Sequence, residues 1–114
     1  MGPTKLRRMA SLPPNQAAVR LLDGFLADAS TRSLEELLRW LSPVMVVPRT
    51  AAQDITLHDV DIKAGDGVTL VVGAANGDEG EFGPADVDFA REPNKHVAFG
   101  GGHHLCLGAH LARL

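Results

Sequence analysis

The chain holds a single cysteine, Cys106, in the segment Phe99-Gly100-Gly101-Gly102-His103-His104-Leu105-Cys106-Leu107-Gly108. A lone cysteine cannot close an intrachain disulfide, so its chemistry is that of a thiol or a thiolate. The glycine run gives way to a helical pattern through Leu111-Ala112-Arg113. Unpaired N–H groups at a helix start would favour the thiolate at Cys106. Such a sulfur can serve as nucleophile, redox centre or metal ligand. Glycines at 100, 101, 102 and 108 permit unusual backbone angles and the close approach of a large flat partner. Phe99 is placed to shield the sulfur from water. His96, His103, His104 and His110 crowd the same segment and raise the alternative of a His/Cys metal-binding module holding zinc. Against it, the side chains of adjacent His103 and His104 diverge, and His-x-Cys is not a familiar zinc spacing.

A second pair is Glu36 and Arg39, in Glu36-Leu37-Leu38-Arg39. At i, i+3 they share one helix face and can pair. By itself that spacing describes an exposed ion pair as well as a buried one.

The elements that must position these residues follow from periodicity. Val19, Leu22 and Leu26 share a helical face, with Phe25 nearby, so a helix is expected from Gln16 to about Asp28. Residues 1–15 read as a loose basic lead-in. Ser33 is expected to cap a second helix over Ser33–Leu41, with Glu36 in capping-box spacing, ending at Ser42-Pro43. Val44 to Arg49 is strand-like. Ile55 and Leu57, then Val60 and Ile62, alternate with polar residues around His58-Asp59 and predict a short hairpin. Lys63 to Gly67 is a turn, and Val68 to Val72 reads as a buried strand. Gly73 to Asn94 is rich in Gly, Asp and Pro and is expected to be a long ordered loop with one short helix, lying on something else.

Composition sets outer limits. Hydrophobic residues at 45% and charged residues at 22% describe a globular chain, and 114 residues suffice for one modest core. With a net charge of −3 and interspersed signs, there is no basic stripe for nucleic acid. No stretch is apolar enough to span a bilayer, and Pro13, Pro14 and Asn15 interrupt any signal-like region after Lys5, Arg7 and Arg8. A cytoplasmic protein is the expectation.

Phe99, Gly102, Cys106 and Gly108 meet the spacing F-x-x-G-x-x-x-C-x-G, with His104 before the cysteine and Leu111-Ala112-Arg113 after it. This resembles the haem-binding signature of cytochromes P-450. Glu36 and Arg39, followed by Trp40, Pro43 and Arg49-Thr50, resemble that family's E-x-x-R helix and the sheet after it. Ala74-Ala75-Asn76, Asp78, Phe82, Asp88-Phe89, Arg91, Pro93-Asn94 and His96 to Phe99 are similar to bacterial members. The resemblance covers residues 33–114, which would be the C-terminal haem-binding portion of a P-450 domain truncated at both ends. Residues 1–32 would be an atypical lead-in and helix.

The resemblance implies a mainly α fold with a small β-sheet (α+β in this piece). It implies haem b as cofactor, with Cys106 as axial ligand of the iron. Arg49 and His104 match positions that pair with haem propionates, while Phe99, Gly100, Gly102 and Gly108 would shape the loop beneath the ring. Glu36 and Arg39 would be a buried structural pair. The implied activity is monooxygenation of a small organic substrate, with electrons from a ferredoxin or flavoprotein donor. Two departures stand out. Relatives offer a basic residue near Asp86 or Val87 to complete a triad with Glu36 and Arg39, and none is present there. Gly77 stands where many relatives carry Arg. The family's distal helix, with its A-G-x-x-T pattern, is not found in residues 1–32, and the helix after Cys106 is cut at Leu114. The chain alone is therefore expected to bind haem weakly and to turn over substrate poorly. Leu21, Leu22, Leu37, Leu38, Val71 and Val72 would leave an apolar face uncovered. A non-enzymatic remnant or interaction fragment of a P-450 gene is the alternative.

Overall fold

The computed structural model describes residues 14–84 and 86–114; the basic part of the lead-in lies outside them. Helix α1 runs over Pro14–Ala27, close to the expected span. Its first residue is proline, whose fixed φ and missing N–H suit a first helical turn. Its expected apolar stripe faces outward: Val19, Leu22 and Leu26 are 57%, 56% and 65% exposed.

Helix α2 spans Thr31–Leu41 and starts earlier than expected, because Ser30 rather than Ser33 is the cap. Ser30 has extended dihedrals, and its hydroxyl accepts the Ser33 N–H at 3.3 Å. Ser33 is fully buried inside the first turn. Glu36 is consequently free of capping duty and turns inward. At the other end Ser42 adopts the left-handed conformation and its N–H closes on Leu38 O. Its hydroxyl donates to Arg39 O at 2.8 Å.

Strand β1 (Val47–Thr50) pairs antiparallel with β4 (Gly67–Leu70), register Val47↔Leu70 to Thr50↔Gly67. Inserted between them is the expected hairpin, β2 (Ile55–Leu57) against β3 (Val60–Ile62). His58 and Asp59 both have positive φ, 45° and 64°, as a two-residue turn that follows strand twist demands. The Lys63–Gly67 turn closes on Asp66 N–H to Lys63 O at 3.0 Å, with Gly65 at φ 93°. The β-structure is thus two two-stranded sheets.

The segment expected to be a buried strand over Val68–Val72 differs on two counts. It stops at Leu70, and Leu70 and Val71 are about half exposed. A two-stranded ribbon cannot bury both faces without a covering layer. Val72 instead opens helix α3 (Val72–Asn76), which packs on α2, and α4 (Glu79–Phe82) follows with Asp78 as its cap. The expected single short helix in the Gly73–Asn94 loop is therefore two.

The buried apolar residues among those described are Phe82, Val87 and Ala109. Ser33, Glu36, Arg39, Ser42 and Asn76 are buried with them, so the centre of the molecule is largely polar. Every buried polar group then needs a partner, and the network around Glu36 supplies most of them.

Candidate functional site

Glu36 is fully buried and receives a complete set of donors. Arg39 grips it as a fork, Nε to Oε2 at 2.8 Å and Nη2 to Oε1 at 2.7 Å. The Asp88 N–H reaches Oε1 at 2.9 Å, and Asn94 Nδ2 reaches Oε2 at 3.0 Å. Arg91 Nε adds a further bond to Oε2 at 3.0 Å. No base stands near Asp86 or Val87, and Arg91 is the second cation on Glu36 in its place. The chain folds back at Asp88, whose carbonyl accepts the Arg91 N–H at 2.9 Å, and this swings the guanidinium onto the carboxylate.

Two cations around one carboxylate leave a surplus positive charge. Backbone carbonyls meet it: Arg39 Nη1 donates to Asn76 O at 2.7 Å and Arg91 Nη1 to Phe82 O at 2.6 Å. The Phe82 ring face lies 5.1 Å from the Arg39 guanidinium and 5.7 Å from that of Arg91, a favourable placement for cations. Burial alone raises the Glu36 carboxyl. The hydrogen bonds from Arg39 and Asp88 and the charges of Arg39 and Arg91 outweigh it, and hold Glu36 below the usual carboxylate range. Asn76 carries this core to the cysteine segment. Its side chain donates to Ser42 Oγ at 2.9 Å and accepts the Val97 N–H at 2.7 Å.

The segment from Val97 to Cys106 is a closed loop. Gly100 and Gly102 sit at φ 73° and 62°, angles that residues with a Cβ resist, so these two glycines are required by the turn. Gly102–His104 forms one 3₁₀ turn, and the Cys106 N–H closes the loop on Phe99 O at 2.9 Å. The residues after Cys106 are not the regular helix expected. Ala109 N–H bonds Cys106 O and Ala112 N–H bonds Gly108 O, then the chain tightens to a 3₁₀ turn at Leu111–Arg113.

Cys106 is exposed, and with Phe99, Gly100, His104, Leu38, Val47 and Val72 it lines an apolar trough of about 320 Å³. An adjoining hollow of about 480 Å³ shares Val47, Arg49, Val72, Gly100 and His104. Arg49, an exposed cation on β1, borders both hollows and donates to Pro48 O at 2.8 Å. Gly102 and Gly108 do not line the trough. A Cβ on Gly108 would lie 3.9 Å from Cys106 Sγ, an ordinary van der Waals contact. A lining that combines a sulfur, aliphatic side chains, the Arg49 guanidinium and the His104 imidazole suits a flat apolar macrocycle with an iron centre and acidic substituents. Among the described residues, no group of three or more His, Cys, Asp or Glu side chains is gathered as a metal site. His58 and His110 are exposed. No helix among the described residues is long and apolar enough to cross a membrane.

The family profile for Cytochrome P450 matches residues 30–114. The methyl-branched lipid omega-hydroxylase of Mycobacterium tuberculosis is 51% identical over 83 residues, which span 71% of this chain and 19% of that protein. The steroid C26-monooxygenase of Mycolicibacterium smegmatis is 44% identical over 95 residues, 81% of this chain and 24% of that protein. The crystal structure of CYP109E1 from Bacillus megaterium with testosterone superimposes with a TM-score of 0.76 at 36% identity, covering 86% of this chain and 28% of that one. The chain therefore spans about a fifth to a quarter of the length of these relatives. The expected fold, mainly α with a small β-sheet, is shared with that crystal structure.

Proposed function

Because the chain belongs to the cytochrome P450 family, we propose that residues 33–114 supply the thiolate side of a haem b site in a monooxygenase. The observation that carries this reading is the apolar trough that Cys106, Arg49 and His104 line together. Cys106 would ligate the iron through its sulfur. Arg49 and His104 would meet the propionates, where cation and carboxylate hydrogen-bond. Phe99 and Gly100 would pack beneath the ring and keep water from the sulfur; Gly102 and Gly108 would shape the loop beneath it. Glu36 and Arg39, with Arg91, hold the floor on which the loop lies and touch no reactant.

When bound, thiolate-ligated haem supplies oxygen activation: one oxygen atom enters an organic substrate, and electrons and protons reduce the other to water. The electrons would come from NAD(P)H through a ferredoxin or flavoprotein, and the reaction would run in the cytoplasm. The substrate class would be a small apolar molecule. The activities that the relatives are named for, on a methyl-branched lipid and on a steroid, support that class.

The test is haem loading of the 114-residue chain followed by reduction and addition of carbon monoxide. Weak loading with the red-shifted band of a thiolate-ligated CO adduct is expected. Cys106→Ser should lose that band. Retention of the band in Cys106→Ser, or its absence from the wild type, would sink the assignment.

A further inference from the structure

The carboxylate next to the core pair, Glu35, holds a second network. Its oxygens accept from Arg113: Nε binds Oε1, and Nη2 binds Oε2 at 3.0 Å. His96 Nε2 shares Oε2 at 2.7 Å, with the His96 side chain only 3% exposed. The hydrogen bond from Arg113, assisted by its charge and by His96, outweighs burial and holds the Glu35 carboxyl below its ordinary range.

These partners bracket the cysteine loop. His96 lies just before it, and Arg113 lies beyond it. Both also touch Phe99: the Arg113 guanidinium stands 4.5 Å over the ring, and the His96 ring is tilted against it at 6.2 Å. Phe99 in turn gives its carbonyl to the Cys106 N–H. Arg113 Nη1 also donates to the carbonyl of buried Ala109 at 3.2 Å. One side chain on α2 thus reaches both flanks of the loop and, through Phe99, its closing hydrogen bond.

We propose that Glu35 is a positioning residue for Cys106. It clamps His96 and Arg113 onto α2 and so fixes the direction in which the sulfur leaves the loop. The fork of Arg113 supplies direction as well as charge, which a lysine ammonium would not. The consequence for iron ligation rests on the haem-thiolate reading above, whereas the clamp itself is a property of the haem-free chain.

Two measurements test this separately. In the haem-free chain, hydrogen exchange at the Cys106 amide reads the loop closure, and the Asp88 amide, held by Glu36, reads the core. Glu35→Gln and Arg113→Gln are each expected to speed Cys106 exchange about three- to tenfold while Asp88 holds, with Arg113→Lys between wild type and Arg113→Gln. Should Glu35→Gln loosen the whole of α2, Arg113→Gln decides, since it sits in the last turn and leaves Glu36 untouched. Unchanged Cys106 exchange in Arg113→Gln, or exchange rising equally at Asp88, overturns the proposal. In the haem-loaded chain, Glu35→Gln is expected to shift part of the CO adduct from the thiolate band to the blue-shifted band of a neutral ligand. An unshifted spectrum overturns the role in ligation. If the wild type itself lacks the thiolate band, the haem reading fails, and the exchange result still decides the clamp.

Discussion

At the scale of single residues, the strongest constraint is a buried carboxylate with every acceptor direction filled. Glu36 stays charged because Arg39, Arg91, Asn94 and the Asp88 N–H surround it. Removing one partner leaves the rest buried without compensation, which costs more than the pair contributes when intact. Glu36→Gln is therefore expected to destabilise the chain by about 3–5 kcal/mol, read as a drop in the urea midpoint. Arg91→Lys keeps the charge but loses the bond to Phe82 O and the contact with the Phe82 ring; about 1–3 kcal/mol is expected. Equal stability of Arg91→Lys and wild type would show that Arg91 is not the third member of the group. The pairing of Glu36 with Arg39 was legible in the sequence because i, i+3 spacing is local. Arg91 was not legible as their partner, because its approach depends on the turn at Asp88 rather than on spacing from Glu36. The same holds for Glu35, His96 and Arg113, which lie far apart in sequence and meet through the fold of the loop.

At the scale of elements, local rules located the chain's pieces and missed where they start. The β2–β3 hairpin was legible because alternation of Ile55, Leu57, Val60 and Ile62 specifies a register, and only a two-residue turn fits between. His58 and Asp59 occupy that turn at positive φ, where asparagine and glycine are easier. The double substitution His58→Asn with Asp59→Gly is expected to stabilise the chain by about 0.5–1 kcal/mol, visible as a higher midpoint in urea. The start of α2 was misplaced because Ser30 and Ser33 are both competent caps, and the choice depends on which one the core can bury. Ser33 is enclosed, so Ser30 takes the cap. Ser30→Ala is accordingly expected to cost about 1 kcal/mol, and a Ser30→Ala variant as stable as wild type would return the cap to Ser33. The strand over Val68–Val72 was legible by composition but not in its burial, since composition says nothing about what covers a sheet.

At the scale of the whole molecule, the buried apolar residues among those described are few, and the radius of gyration is 16.7 Å. A compact chain of this length would have a radius near ~13 Å. Val44, Met45, Val46, Leu70 and Val71 are about half exposed, and Leu107 is fully exposed. Such surfaces associate, so light scattering is expected to show self-association that grows with protein concentration. With so little apolar burial, stability leans on charge, and this makes it sensitive to acid. Glu35 and Glu36 are both held below the ordinary carboxylate value of 4.5 in the fold. The unfolded chain therefore takes up their protons first as the pH falls. The contribution of both groups is complete above that value and is lost as the pH drops through their folded-state values. The urea midpoint is expected to be level near neutrality and to fall steeply in the acid range below the ordinary carboxylate value. Glu35→Gln should fall less steeply, because one of the two depressed carboxyls is gone. A midpoint that stays flat into strong acid, or an identical slope in Glu35→Gln, would mean that these carboxylates are not what holds the polar centre together.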